Sequence, residues 1–405
     1  MKPIVRAGRM KPVHSDIRGP LFVEAMKRQK QGIDILKLNT GNPATFGFGL
    51  PDSIKNALME HMQDGVGYCD FKGMPQARQA ICDYETSKGI KGITSDDVFI
   101  GNGVSEVVSF ALTPLLNDGD EVLVPSPSYS LWGNSVYLED GKPVFYTCDE
   151  QANWYPDIKD IRSKITDKTK AIVIINPNNP TSVLYPKELL LEIIQIARES
   201  GLLIFADEIY DRLVMDGKQH ISLASLTEDV PVITLNGLSK SHCLCGYRCG
   251  WMVISGPREL TEDYRQGIIQ LTSLRLCANT LAQIVIPAAL DDMDTPASMV
   301  RPGGRIYEQR EATVRELEKI DGLSFVKNDA AFYVFPKLDV KKFNITNDKQ
   351  FAHDLLDATN ILLVPGSGFD WKDPDHFRIV MLPQADILSD AIRRMGTFLD
   401  GYKQK

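Results

Sequence analysis

Chemistry in this chain concentrates at the ends of three apolar runs. Lys240, in NGLSKSHCLCGYRCGW, follows one such run and precedes a small-residue turn. An amine held there in a dry pocket has its charged form penalised by burial and can form an imine with a carbonyl group. Asp207 ends a second run, LLIFADEIY, whose carboxyl end is expected beside that of the Lys240 strand, with Glu208 as the competing carboxylate. The third run ends in GNGVSE, residues 101–106, a glycine turn that opens a helix. Free N–H groups at a helix start bind anions. The amides of Gly103 and Val104 together with Ser105 suit a monophosphate, and Arg248, eight residues after Lys240, adds a planar fork of donors. The stretch lacks the third glycine of a dinucleotide fingerprint and the lysine of a P-loop, which disfavours NAD and ATP. A carboxylate such as Asp207 needs a cation, and pyridoxal phosphate offers one, since its ring is a strong electron sink only while a carboxylate keeps the ring nitrogen protonated.

The elements that must position these residues are legible as a rhythm. Seven β-branched runs, at 98–103, 121–125, 143–148, 171–177, 202–210, 232–240 and 250–254, alternate with helical patterns, as in a mainly parallel sheet. Lys187–Ser200 repeats its apolar residues at helical spacing behind Pro186, so helices are expected to cover the sheet. Ligands in such sheets sit beyond the carboxyl ends of the strands, which is where GNGVSE, INPNNP, DEIY and GLSK fall. After about residue 255 the pattern turns to helices broken near Pro287, Pro296 and Pro302, and then to a second α+β alternation. The expected organisation is α/β. An N-terminal segment, 1–50, joins a small domain, a large domain spans 51–300 with a mainly parallel seven-stranded sheet, and a small α+β domain spans 301–405.

Composition narrows the function classes. The 405 residues carry a net charge of −8, which offers no positive reservoir for phosphate backbones and argues against nucleic acid as a partner. No run approaches the roughly 20 apolar residues of a membrane span, and the N-terminus lacks the apolar core of a secretory signal, so a cytoplasmic protein is expected. Seven cysteines without regular pairing distances read as free thiols. The group His242, Cys243, Cys245 and Cys249 does not match zinc spacing, and no metal is expected.

Taken in order, SDIRGP, NTGNP, GVGYCDFKG, GNGVSE, VPSPSY, INPNNPTS, FADEIY, NGLSK, GYRCGW, LRLCAN, PGGRIYEQR and DHFRIV resemble the class I aminotransferases, fold type I of the pyridoxal phosphate enzymes, and among them the bacterial alanine (glutamate-pyruvate) group. The resemblance runs through the whole chain. It implies that Lys240 is the Schiff-base lysine and the acid/base of the proton shift, that Asp207 pairs with the pyridinium nitrogen, and that Tyr210 and Asn179 hydrogen-bond the phenolic oxygen. It implies further that Tyr129 stacks on the ring and that Gly103, Val104, Ser105, Ser239 and Arg248 hold the phosphate. Arg378 would clamp the substrate α-carboxylate, with Asn179 and the backbone of Gly41 on its other side. Tyr68 would reach the phosphate of a partner subunit, so a homodimer with shared sites is implied.

Two departures stand out. Gly237 lies where many relatives have a phosphate-binding serine, and Ser182 where they commonly have glycine. The implied reaction is ping-pong transfer of the amino group between alanine and 2-oxoglutarate. Another amino acid, or carbon–sulfur β-lyase chemistry, uses the same lysine and aspartate; a regulator with this fold would need a DNA-binding module for which the −8 charge leaves no case. For the distal carboxylate of glutamate Arg18 is the candidate, with Arg275 behind it.

Overall fold

In a computed structural model, which describes residues 2–405, the three run ends come together because of how one sheet is threaded. Its order is Val98–Asn102, Cys249–Ser255, Val232–Gly237, Leu203–Asp207, Thr169–Ile175, Glu121–Ser126, Lys142–Asp149 and Tyr155–Pro156. The neighbouring pairs from Val232–Gly237 to Lys142–Asp149 are parallel, whereas Cys249–Ser255 runs antiparallel to both of its neighbours. Val98–Asn102 therefore points the same way as the parallel set. The reversed strand begins where two others finish, with Asn102 opposite Cys249 and Gly237 opposite Gly250. Seven of the strands are those expected from the sequence. The eighth, Tyr155–Pro156, pairs with Cys148 and Asp149 at the edge and is too short to carry a periodic signal.

The central strands are apolar on both faces because both faces are covered, as expected for parallel sheets. Alternation assigns Ile172, Ile174, Ile204 and Ala206 to one core, which includes Leu190, Ile193 and Ile194 of the helix Lys187–Ser200. Ala171, Val173, Leu203 and Phe205 belong to the other, with Val107, Val108 and Ala111 of the helix Val104–Leu112.

A separate core joins Val334, Phe351, Ile379, Leu388 and Met395. It lies around a three-stranded sheet in which Phe377–Val380 sits between Tyr333–Val334 and Val364–Pro365. The N-terminal chain adds to this unit, since Leu36–Lys37 pairs in parallel with Ile361–Leu362. Before that, Arg9 bonds Asp140 at 2.9 Å, so residues 9–37 bridge the two cores. Among the described residues no single helix is long and apolar enough to cross a membrane, and all seven cysteines are free.

One buried ion pair fixes the antiparallel edge. Arg265, in the helix Arg258–Arg275, donates to Asp97 at 2.6 Å, to the carbonyl of Ile254 at 3.1 Å and to Thr261 at 3.0 Å. Removing one partner of such a pair leaves a buried charge uncompensated. Arg265→Met should lower the unfolding free energy in a urea titration by about 3–5 kcal/mol, whereas Arg198→Met, which breaks the exposed pair with Asp229, should cost far less, since solvent screens that pair. Equal losses would contradict this ranking.

Candidate active site

The carboxyl ends of the strands open into a cavity of about 750 Å³ lined by Lys240, Asp207, Tyr210, Asn179, Tyr129 and Arg378, among others. Val104, Ser105, Ser239, Arg248, Gly41 and Arg18 also face it. Every expected site residue except Gly103, Tyr68 and Arg275 is thus in the lining, and Gly103 lies one residue behind it.

Lys240 sits in a single helical turn, Leu238–Ser241, straight after its strand. Its Nζ donates to the Gly41 carbonyl at 2.8 Å and lies 3.9 Å from the Cys245 sulfur. Burial works against its charge, as does Arg378, but Tyr333, Cys245 and Tyr129 outweigh them, and the net shift of the ammonium is upward. A Cβ at Gly41 would fall 2.2 Å from the Tyr333 hydroxyl, so only glycine lets the chain pass this close.

Asp207 is buried at the end of its strand, where its carboxylate accepts from Trp132 Nε1 at 3.1 Å and from the Ile209 amide at 3.4 Å. No cation pairs with it among the described residues. Burial pushes its pKa up to about 6, against the opposing pull of the Trp132 bond. Tyr210, also buried, shares a 2.8 Å hydrogen bond with Tyr333.

Arg378 presents the complementary case. It comes from Phe377–Val380, is 1% exposed, and has no carboxylate among its partners. One Nη donates to Asn179 Oδ1 at 3.0 Å, the other donates to the Asn39 carbonyl, and Nε has no partner. Tyr333 and Phe369 flank the guanidinium at 4.5 and 4.6 Å, an attraction from the ring faces that does not neutralise the charge. Burial holds its pKa below the ordinary arginine value.

At the other end of the cavity, Gly103 caps the helix Val104–Leu112 with φ +85°. A Cβ there would meet Arg248 at 2.3 Å, so the turn leaves room for the guanidinium beside the free helix amides. Arg248 is held by the Cys245 carbonyl at 2.9 Å.

Arg18 reaches the lining through a pinned segment. The His14 amide donates to Asn134 at 3.1 Å, and its ring lies 3.0 Å from Asp370 and 3.4 Å from Asp16, bonds that raise its pKa to about 9. Arg275 lies outside the cavity of its own chain, bonded to Glu106 at 2.5 Å and to the carbonyls of Phe71 and Ile100. Tyr68 does not face the cavity of its own chain and is 84% exposed.

Sequence reasoning missed Trp132, Tyr333 and Asn39. Trp132 had a faint signal, since it lies three residues after Tyr129 in the segment leading into one helix. Tyr333 and Asn39 act through contacts that only the fold brings about.

The fold and this cavity define a fold type I aminotransferase, and the chain belongs to the aminotransferase class I and II family, whose model matches residues 33–392. It is 50% identical to the glutamate-pyruvate aminotransferase AlaA of Haemophilus influenzae over the whole of both chains. Among solved structures, an aminotransferase from Escherichia coli is 47% identical and superposes with a TM-score of 0.98 over the whole of both chains. An alanine aminotransferase from Pyrococcus furiosus is 40% identical, with a TM-score of 0.93 over 98% of this chain and 100% of that one.

The raised Asp207 pKa has a consequence for stability. Between the ordinary value of 3.8 and about 6 the folded protein holds a proton that the unfolded chain has lost, so stability falls as pH rises through this window. At 1.36 kcal/mol per unit, the penalty above pH 6 is about 3 kcal/mol. In protein stripped of bound small molecules, Asp207→Asn should be more stable than wild type by about that amount at pH 7.5, and the gap should close toward pH 4. A gap independent of pH in denaturant titrations would contradict the shift.

Proposed function

We propose that this protein transfers the amino group between alanine and 2-oxoglutarate, giving pyruvate and glutamate, with pyridoxal phosphate as its cofactor. One observation carries the reading: Arg378, a buried guanidinium without a carboxylate partner, opens onto the same cavity as Lys240 and Asp207. Such a cation is matched bidentately by an incoming α-carboxylate. The names of the relatives at 50% and 40% identity, a glutamate-pyruvate and an alanine aminotransferase, support the choice of substrates.

The residues present fit the cofactor. Asp207 lacks a cation and would hold the protonated ring nitrogen, which returns its own pKa toward the ordinary carboxylate range. Tyr210 and Asn179 would donate to the phenolic oxygen, and Tyr129 would cover the ring face. The cradle made by Gly103, Val104, Ser105, Ser239 and Arg248 would take the phosphate, with Tyr68 supplied across a homodimer from the partner chain. When bound, pyridoxal phosphate supplies an aldehyde that condenses with amines and a ring that stores the electron pair released from the substrate Cα–H bond.

The chain's own groups do the rest. Arg378 and Asn179 fix the carboxylate and so orient the Cα–H bond, converting a bimolecular encounter into a positioned one. Lys240, whose side chain reaches the cavity, would serve as the base that takes the Cα proton and as the acid that gives it back. Asp207 keeps the ring nitrogen protonated throughout. Arg18 meets the distal carboxylate of glutamate and 2-oxoglutarate and withdraws for alanine. In the same reading the domain limits lie near residues 50 and 300, with Arg378 brought to the cavity by the smaller domain.

Purified protein with pyridoxal phosphate should form pyruvate and glutamate from alanine and 2-oxoglutarate over repeated turnovers only when both are present, alanine alone giving no more pyruvate than there are active sites. Pyruvate from cysteine-type substrates without an oxo acid would replace this reading with lyase chemistry. Arg378→Lys should raise the KM of alanine and of glutamate alike by about 10–100-fold, the worth of a lost charge-assisted bond. Arg18→Ala should raise the KM of glutamate more than that of alanine, and equal effects would remove Arg18 from the account.

A further inference from the structure

Behind the cavity, on the opposite side of the turn that carries Asp207 and Tyr210, lies a buried group of charges that the reaction does not use. Glu208 turns away from the cavity and accepts from Ser222 Oγ at 2.9 Å and the Leu223 amide at 3.0 Å through one oxygen, and from Lys88 Nζ at 2.7 Å through the other. Asp211 accepts from Tyr84 at 2.6 Å, from Asn236 Nδ2 at 2.7 Å and from the same Lys88 Nζ at 3.1 Å. Glu85 lies 2.8 Å from that nitrogen and accepts from Trp251 Nε1 at 3.2 Å. Three carboxylates therefore share one ammonium, on a side chain only 13% exposed. His220 stands 4.0 Å from Glu208, and Arg212 stacks on the Tyr84 ring at 4.3 Å.

Oxygens of Glu208 and Asp211 and a ring nitrogen of His220 lie within 4.8 Å of one another, a spacing that a metal ion could use. The ammonium of Lys88 already supplies the cation to these carboxylates. Its partners are not scattered. Glu208 and Asp211 bracket Tyr210 and follow Asp207, and Asn236 is the next-to-last residue of the strand that leads into Lys240. One ammonium is thus tied directly to the segment that carries Asp207 and Tyr210 and, through Asp211, to the strand that leads into Lys240.

We propose that Lys88 is a positioning residue for the reaction: by holding Glu208 and Asp211 on one side of the turn, it fixes Asp207 and Tyr210 on the other and sets the charge felt by Asp207. This rests on the function proposed above. Without the ammonium, buried carboxylates repel one another and the turn loosens, while the extra negative charge favours protonated forms of nearby groups.

The test uses the holoenzyme. Wild type must first bind pyridoxal phosphate with a visible absorbance band and transaminate alanine; failure at that stage overturns the proposed function, and only success makes Lys88 the question. Lys88→Met should then lower kcat by about 10²-fold, the cost of a misplacement of about 1 Å, with a smaller change in KM. It should also move to higher pH the midpoint at which the visible absorbance changes. Lys88→Arg, which keeps the cation, should restore both. Glu208→Gln keeps the shape, removes a negative charge and does not depend on Lys88→Met folding; it should move the midpoint to lower pH. Wild-type kcat and midpoint in Lys88→Met, an equal loss in Lys88→Arg, or an unmoved or upward midpoint in Glu208→Gln would each overturn the proposal.

Discussion

Two buried charges without counter-ions from the protein organise this structure. Asp207 and Arg378 both face one cavity, each desolvated and each left without an opposite charge among the described residues. Burying an unpaired charge costs far more than a typical net stability margin can spare many times over. The surrounding residues reduce that cost in part, with Trp132 donating to Asp207 and two aromatic faces against Arg378. What they leave uncompensated is a cation missing at one place and an anion at another, and in the reading advanced here a protonated ring and a substrate carboxylate are the groups that fill them.

The rest of the fold serves to hold these charges apart and aimed. A parallel sheet gathers the ends of several strands without requiring the segments to be close in sequence. The one reversed strand then lets the Gly103 turn and the Lys240 turn share an edge. Within the Asp207 turn, residues three apart share a side: Asp207 and Tyr210 face the cavity while Glu208 and Asp211 face Lys88. A turn anchored by strong bonds on its far side can carry an uncompensated carboxylate on its near side without collapsing.

Much of this was legible in the sequence. Long apolar β-branched runs bounded by turn residues gave seven strands, since burial on both faces leaves little choice of residue type. The two-residue strand Tyr155–Pro156 left no such trace. Lys240 and Asp207 were readable as chemistry-bearing residues at strand ends, Asn179 and Arg378 only through the resemblance of their motifs to a known family, and the structure brings all four to one cavity. Partnerships between distant segments were not readable. Trp132 meets Asp207 across 75 positions, and Lys88 looks like an ordinary lysine near a helix end until Glu208 and Asp211 are folded against it. Arg275 shows the converse, a promising arginine whose charge is already taken by Glu106.

The most direct test of the central claim is an absorbance titration of the purified protein, first with pyridoxal phosphate, then with alanine and no oxo acid, then with 2-oxoglutarate. If Asp207 and Arg378 take their counter-ions from cofactor and substrate, a visible band should appear at the first step, vanish with alanine as pyruvate forms in amounts matching the active sites, and return with 2-oxoglutarate as glutamate appears. Absence of the band, or a band indifferent to alanine, would contradict the account.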